Sequence, residues 1–347
     1  MKIAGREINP SEPPYVIAEM SGNHNQSLER ALLIVEAAAN AGAHAVKLQT
    51  YTADTMTMAS NGREFFVSDP HSPWFGINIF DLYKKAHTPW EWHKDIIKKA
   101  QSLGMACFSS PFDETAVEFL EDLDVPAFKI ASFECIDLPL ITRVAKTGKP
   151  MIISTGMASL SEIDEAVMTA KEAGCRDIAI LKCTSTYPSS PENSNLRTIS
   201  HMKDAFGCQV GLSDHTLGLG SAVAAVAMGA TIIEKHLTID RSDGGVDSEF
   251  SLEPDEFSSL TSELLRAWQS LGGIHYGPTP AEIKARSRRR SLYIADNLKE
   301  GDLITPKNLK RIRPGNGLQC KYYDLVIGRR VKCDIGAGSP LEWDHLL

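Results

Sequence analysis

Two apolar runs end on a histidine: "VGLSDHT" places His215 and "IIEKHLT" places His236, twenty-one residues further on. On adjacent strands, two neutral imidazoles could share one divalent cation, with water or substrate oxygens completing the shell; the other reading is a pair of neutral, hydrogen-bonded pocket histidines. An ion held by two side chains keeps open positions, as a Lewis acid acting on a carbonyl oxygen requires. Glu234 and Asp247 are candidates for further ligands or for acceptors behind the histidines. A third histidine, His24 of "SGNHN", either lines the same mouth or anchors its loop.

A second constellation is cationic. Lys47 and Lys129, with the hydroxyls of Ser110, Ser132, Ser154, Ser213, Thr184 and Ser185, suit a small di- or trianion. Lysine acts on phosphate as a point charge, and hydroxyls donate without adding charge repulsion. Glu134, two residues beyond Ser132, is placed for proton transfer or for neutralising one of the lysines. Cation and metal together call for an anionic phosphate or carboxylate substrate meeting an electrophile.

These residues need elements to carry them. Short β-branched runs alternate with amphipathic stretches, predicting eight strands at 15–19, 45–49, 105–109, 127–130, 151–154, 178–183, 209–212 and 231–234. Among the helices between them, "SLERALLIVEAAANAG" opens on Ser27 and ends at Gly42, and "SEIDEAVMTAKEAG" opens on Ser161 and ends at Gly174. Eight βα units predict a (β/α)8 TIM barrel, with an open doubly wound sheet as the alternative. In a barrel, chemistry sits at the C-terminal strand ends. Each strand end here carries a polar or ionisable group, from Glu19 through "SSPFD" and "CTSTYP" to Glu234.

The chain has 347 residues, 43% hydrophobic and 23% charged, enough for a large domain and a small one. The longest apolar window, "SAVAAVAMGATII", is too short to span a bilayer, and "MKIAGREINP" lacks a signal-peptide pattern, so no membrane association and a cytoplasmic location are expected. Seven scattered cysteines, none in CxxC spacing, argue against a disulfide framework or a structural zinc site. From Ala281 to Leu347 there are 14 Lys and Arg against 8 Asp and Glu, whereas the rest has 22 against 36. The basic cluster "RSRRRS" has no interleaved aromatics, which argues against nucleic acid and for docking on an acidic body. The Pro, Gly and charge of "GPTPAEIKARSRRRS" mark a linker, giving a barrel domain at 1–280, a linker at 281–290 and a small β-rich domain at 291–347. Within the last, "NLKEGDLITPKNL" and "DIGAGSPLEWDHL" share one spacing of apolar residues and glycine, a weak internal repeat.

Taken in order, "AEMSGNHNQSLERAL", "AGAHAVKLQTYTADTMT", "SSPFD", "FKIASFE", "ISTGMAS", "CTSTYP", "GLSDHT", "IEKHLTIDR" and "GVDSEFSLEP" resemble the motifs of the sialic acid synthase family. "RRSLYIADNLKEGD" and "RIRPGNGL" resemble its antifreeze-like (SAF, β-clip) domain. "NQSLERA", "KLQTYTADTMT" and "CTSTYP" look most like its pseudaminate branch rather than its neuraminate branch. The resemblance implies condensation of phosphoenolpyruvate with an acetamido-deoxyhexose to give a nine-carbon keto acid and phosphate. It implies a divalent metal, manganese first and magnesium or cobalt next, on His215 and His236. Phosphoenolpyruvate would lie against Lys47, Ser110, Lys129, Ser132, Ser154, Ser185 and Ser213. Tyr187, Asp247 and Arg313 would contact the sugar, and Glu134 and Asn25 would fall at catalytic positions. It also implies a domain-swapped homodimer in which Arg313 reaches the partner's sugar site; the other reading makes Arg313 a surface ion-pair residue. Two positions depart from the neuraminate branch: Asn25 stands where that branch often has Glu or Asp, and Ser185 where it has Asn. The aromatic-rich connection 51–88 either shapes the sugar pocket or packs a dimer interface. A non-catalytic carbohydrate- or ice-binding protein is the reading from another class.

Overall fold

Each of the eight apolar runs forms a strand in the computed structural model, which describes all 347 residues. The strands are β1 (Tyr15–Glu19), β2 (Ala45–Thr50), β3 (Ala106–Pro111), β4 (Phe128–Ile130), β5 (Met151–Ser154), β6 (Ile178–Cys183), β7 (Gln209–Asp214) and β8 (Ile232–His236). Every neighbouring pair is parallel, and β8 closes onto β1 with His236 opposite Glu19. The sheet is therefore a closed barrel, and the open doubly wound alternative falls. Four strands reach one or two residues beyond the expected ends. The ladder tolerates polar residues there because alternation sends Glu234 and His236 inward while Lys235 and Asp214 meet on the outer side.

Helix Leu28–Asn40 starts where expected: Ser27 accepts a hydrogen bond from the Arg30 amide, and Gly42 adopts φ +83° just past the end. Helix Leu160–Glu172 corrects the expected start at Ser161. Its cap is Ser159, which accepts from the Glu162 amide while the Glu162 carboxylate bonds back to the Ser159 amide, a reciprocal pairing that Ser161 lacks. The helix buries Ile163, Ala166, Val167 and Ala170, one stripe at helical spacing. An N-terminal hairpin, Lys2–Ile3 with Arg6–Glu7, was not foreseen; its Ile3 and the following Ile8 join the barrel's core.

The chain divides into two compact units, Met1–Gly272 and Gly273–Leu347. The second contains strands β9 (Ser291–Ile294) and β10 (Leu309–Ile312), paired antiparallel. The internal repeat is structural. Leu298 and Ile335 exchange backbone hydrogen bonds, Gly301 and Gly338 sit at φ +85° and +86°, and Ile304 and Leu341 are both wholly buried. The two segments thus make the same left-handed turn and supply equivalent core residues. No helix in either unit is long and apolar enough to cross a membrane.

Candidate active site

The strand ends open into a cavity of about 280 Å³ in the first unit. Lys47, Lys129, Ser132, Ser154, Tyr187, Ser213, His215, His236 and Asp247, all expected site residues, line it.

Lys129, on the three-residue strand β4, is wholly buried and donates to Ser154 Oγ at 2.6 Å and to the Ile130 carbonyl at 3.0 Å. Burial lowers its pKa to about 8, although Glu234 pulls the other way. It is a buried ammonium with no carboxylate within ion-pair distance, placed to donate to an anion in the mouth. Hydroxyls gather beside it. Ser132 Oγ accepts from the Gly156 amide at 3.2 Å, and a Cβ on Gly156 would stand 2.1 Å from Ser185 Oγ and 2.8 Å from Ser132 Oγ. Only glycine lets the two hydroxyls converge there. Ser110 alternates with Ser109, which bonds Thr50 on the helix side, so Ser110 faces the barrel interior; its buried Oγ has no partner. Thr184, in contrast, spends its hydroxyl on the Asn193 carbonyl.

Lys47 behaves differently. Its Nζ lies 3.1 Å from Glu19 and 3.0 Å from Glu234, all three groups being buried. Burial disfavours its charge, but the two carboxylates outweigh burial and raise its pKa. Burial lifts Glu19 to about 7; Glu234, also opposed by burial, is pulled down by Lys129 and Lys47. Ser213 Oγ donates to Glu234 at 3.1 Å, and Gln49 donates to Glu19 at 2.9 Å. Much of the Lys47 charge is therefore neutralised within the protein. Glu19 and Gln49 stood at expected strand ends, but their pairing partners were not legible there.

His215 follows β7, and His236 ends β8; their ring centroids are 5.3 Å apart. His215 Nδ1 is 3.0 Å from the Thr184 carbonyl, which can only accept, so Nδ1 carries a proton and, in the neutral ring, Nε2 has the lone pair. Burial disfavours the His215 charge, but Cys183, whose Sγ is 3.9 Å from Nδ1, holds its pKa above the ordinary value. Burial, then His215, drives the His236 pKa well down, and its buried Nδ1 has no protein partner. This donor chemistry fits two-histidine ligation of a divalent ion. No cluster of three or more His, Cys, Asp or Glu side chains is gathered at ligating distance, so remaining positions would fall to substrate or water.

Asp247 is buried, accepts from Ser21 Oγ, and donates its amide to Asn23 Oδ1 at 3.3 Å. Asn23 also reaches the Leu237 carbonyl and Ser251, tying the first loop to the end of β8. Asn25 lies apart from the cavity lining. In the left-handed conformation at φ 49°, it turns its amide to the Asp243 carbonyl. His24 anchors its loop, accepting from the Gln26 amide and facing Thr88 at 3.3 Å. Glu134 does not line the cavity, but its charge is felt by Tyr83 and Tyr187; burial raises its pKa to about 7, and its Oε2 has no partner. Arg313 is in the second unit, exposed, just beyond β10. The connection 51–88 contributes Tyr51, Met56, Val67, Trp74, Ile79, Leu82, Tyr83 and Ala86 to the cavity wall, so it shapes the pocket.

A closed parallel barrel with a cation, hydroxyls and paired histidines at its mouth defines the class, and the NeuB family model matches residues 34–276, with a SAF domain matching 289–347. The chain belongs to the NeuB family. It is 41% identical to the pseudaminic acid synthase of Campylobacter jejuni over 96% of this chain and 97% of that one. It is 34% identical to the N,N'-diacetyllegionaminic acid synthase of Legionella pneumophila, with 99% of each covered. The crystal structure of the N-acetylneuraminic acid synthetase from Leptospira borgpetersenii in complex with citrate superimposes with a TM-score of 0.73 at 31% identity, covering 82% of this chain and 94% of the other.

Proposed function

We propose that this chain is a pseudaminic acid synthase, condensing phosphoenolpyruvate with 2,4-diacetamido-2,4,6-trideoxy-L-altrose and water to give pseudaminate and phosphate. The observation that carries the reading is the buried Lys129–Ser154 pair, an anion cradle opening into the same cavity as the two histidines. The similarity to the Campylobacter enzyme over nearly the whole of both chains supports the branch.

In this reading Lys129 and the hydroxyls of Ser110, Ser132, Ser154, Ser185 and Ser213 bind the phosphate and carboxylate oxygens. Lys47, tied to Glu19 and Glu234, adds less charge than Lys129. His215 and His236 would hold a divalent ion, manganese first, whose Lewis acidity would polarise the sugar aldehyde. Tyr187 and Asp247 face the sugar. The enol carbon bonds to the aldehyde carbon, water adds at the phosphate-bearing carbon, and phosphate leaves with cleavage of its C–O bond. Glu134, protonated up to about pH 7, has a proton to give or a site to take one. The same reading puts the enzyme in the cytoplasm, as a domain-swapped homodimer whose Arg313 completes the partner's sugar site. Mixing Arg313→Ala with His236→Ala subunits under exchange should then restore some activity; no recovery despite exchange rejects the shared site.

The test of the reaction is phosphate release from phosphoenolpyruvate with and without a panel of acetamido-hexoses, with the product identified by mass spectrometry. A pseudaminate mass with the trideoxy-altrose sugar supports the reading. Turnover only with the legionaminate or neuraminate precursor assigns a different sugar, and no release with any of them rejects catalysis.

A further inference from the structure

Four strands of the barrel carry one lysine each, and the fold gives the four different surroundings. Lys235 is locked to Asp214 on the outer side, and Lys47 lies between Glu19 and Glu234. Lys182 turns to the Cys183 carbonyl at 2.7 Å and stays out of the cavity lining. Lys129 alone lines the cavity without a carboxylate at ion-pair distance. Its contacts with the Ile130 carbonyl and Ser154 Oγ leave one position of the nitrogen for the cavity. Ser110 stands on the neighbouring strand, one residue beyond the Ser109–Phe128 register pair and so beside Lys129, and its buried Oγ has no protein partner. A buried ammonium needs a counter-charge, whereas a neutral amine does not. Burial accordingly lowers the Lys129 pKa to about 8, which makes a nucleophilic amine available near neutral pH.

We infer that Lys129 is also a covalent site, whose amine captures 2-oxo acids such as pyruvate as an imine. The nitrogen lone pair attacks the C2 carbonyl, a C2=N bond replaces C2=O, and the two amine hydrogens leave with the oxygen as water; no oxidant or reductant is required. Ser154 Oγ, 2.6 Å from Nζ, is placed to relay one of those protons, and Ser110 Oγ supplies a donor for the carboxylate of the acid. Lys47 cannot act in the same way, because its two carboxylates hold it as an ammonium. The inference goes beyond the synthase reading. Phosphoenolpyruvate is an enol phosphate without a C2 carbonyl, so it can lie at the same nitrogen without forming the bond, and a 2-oxo acid captured there would close the subsite to it.

The experiment incubates the full chain with pyruvate and cyanoborohydride near pH 8, without sugar or phosphoenolpyruvate, and maps the reduced adduct by peptide mass spectrometry. Lys129 should be modified roughly tenfold or more above the exposed Lys307 in the same sample, since each unit by which a lysine pKa is lowered gives about tenfold more neutral amine. Unfolding the chain in urea beforehand should remove that preference, because it comes from burial. Lys129→Arg should lose the corresponding incorporation of labelled pyruvate, and if that variant folds poorly the wild-type map decides. No adduct at Lys129, occupancy equal to that of Lys307, or a preference that survives unfolding overturns the inference. With neither substrate of the synthase present, such a failure leaves the synthase reading to its own product assay.

Discussion

Lys235 Nζ lies 2.6 Å from Asp214 Oδ2 on the outer side of the barrel, each residue adjacent in sequence to one of the two cavity histidines. Both side chains are buried, Asp214 Oδ1 accepts from the Thr216 amide and hydroxyl, and Lys235 also donates to the Thr216 carbonyl at 2.6 Å. The pair pins the ends of β7 and β8 in one register. Lys235→Met should lower stability by about 3–5 kcal/mol, because it strands the Asp214 carboxylate, whereas Lys235→Met with Asp214→Asn should recover most of that loss. Thermal melts read the first effect. Calorimetric titration of the recovered double variant with Mn2+ should still show weakened binding, because the histidines lose their common support.

Lys129 and Lys47 should separate on substitution. Lys129→Met keeps the stem's packing and removes the cation with no direct carboxylate partner, so the KM for phosphoenolpyruvate should rise by roughly 10- to 100-fold with little change for the sugar. Lys47→Met leaves Glu19 and Glu234 buried together without their shared partner, so its main effect should be on the melting temperature. Initial-rate kinetics and melts on both variants check the contrast.

Removing divalent metal by chelation should abolish phosphate release, and adding back Mn2+ should restore it. His215→Ala or His236→Ala should lower kcat by about 10²-fold or more while the fold persists, because the electrophilic contact to the reacting oxygen is lost. Full activity after exhaustive chelation would sink the metal assignment.

Glu134 gives a pH dependence with a definite sign. Burial raises its pKa from 4.5 to about 7, so the folded state binds the proton more tightly than the unfolded chain. Its contribution to stability is present below pH 4.5 and is lost as pH rises through 7, a change on the order of 3 kcal/mol. Glu134→Gln should flatten part of that decline; Glu19, also raised by burial, keeps its own share. Denaturant melts across pH 4.5 to 7.5 measure the slope, and loss of the limb near pH 7 in the kcat profile would link the same group to turnover.

What the sequence determined by itself is what repeats at short range. Short β-branched runs located all eight strands, the capping residue of helix Leu28–Asn40 was readable three residues from its partner, and the glycine spacing of the C-terminal repeat falls on two equal turns. The paired histidines were legible for the same reason, since each ends an apolar run and closure of a barrel makes consecutive strands neighbours. Tertiary structure alone decided which charges meet. Glu19, Lys47 and Glu234 are gathered from β1, β2 and β8, and Ser21 reaches Asp247 across 226 residues. It also decided that Asn25 turns away to Asp243 and that the 51–88 connection faces the cavity. Local patterning sets a side chain's face and an element's ends, because those depend on backbone bonds a few residues apart. Partners depend on how the strands are staggered on closing the barrel, and that stagger is a property of the whole fold.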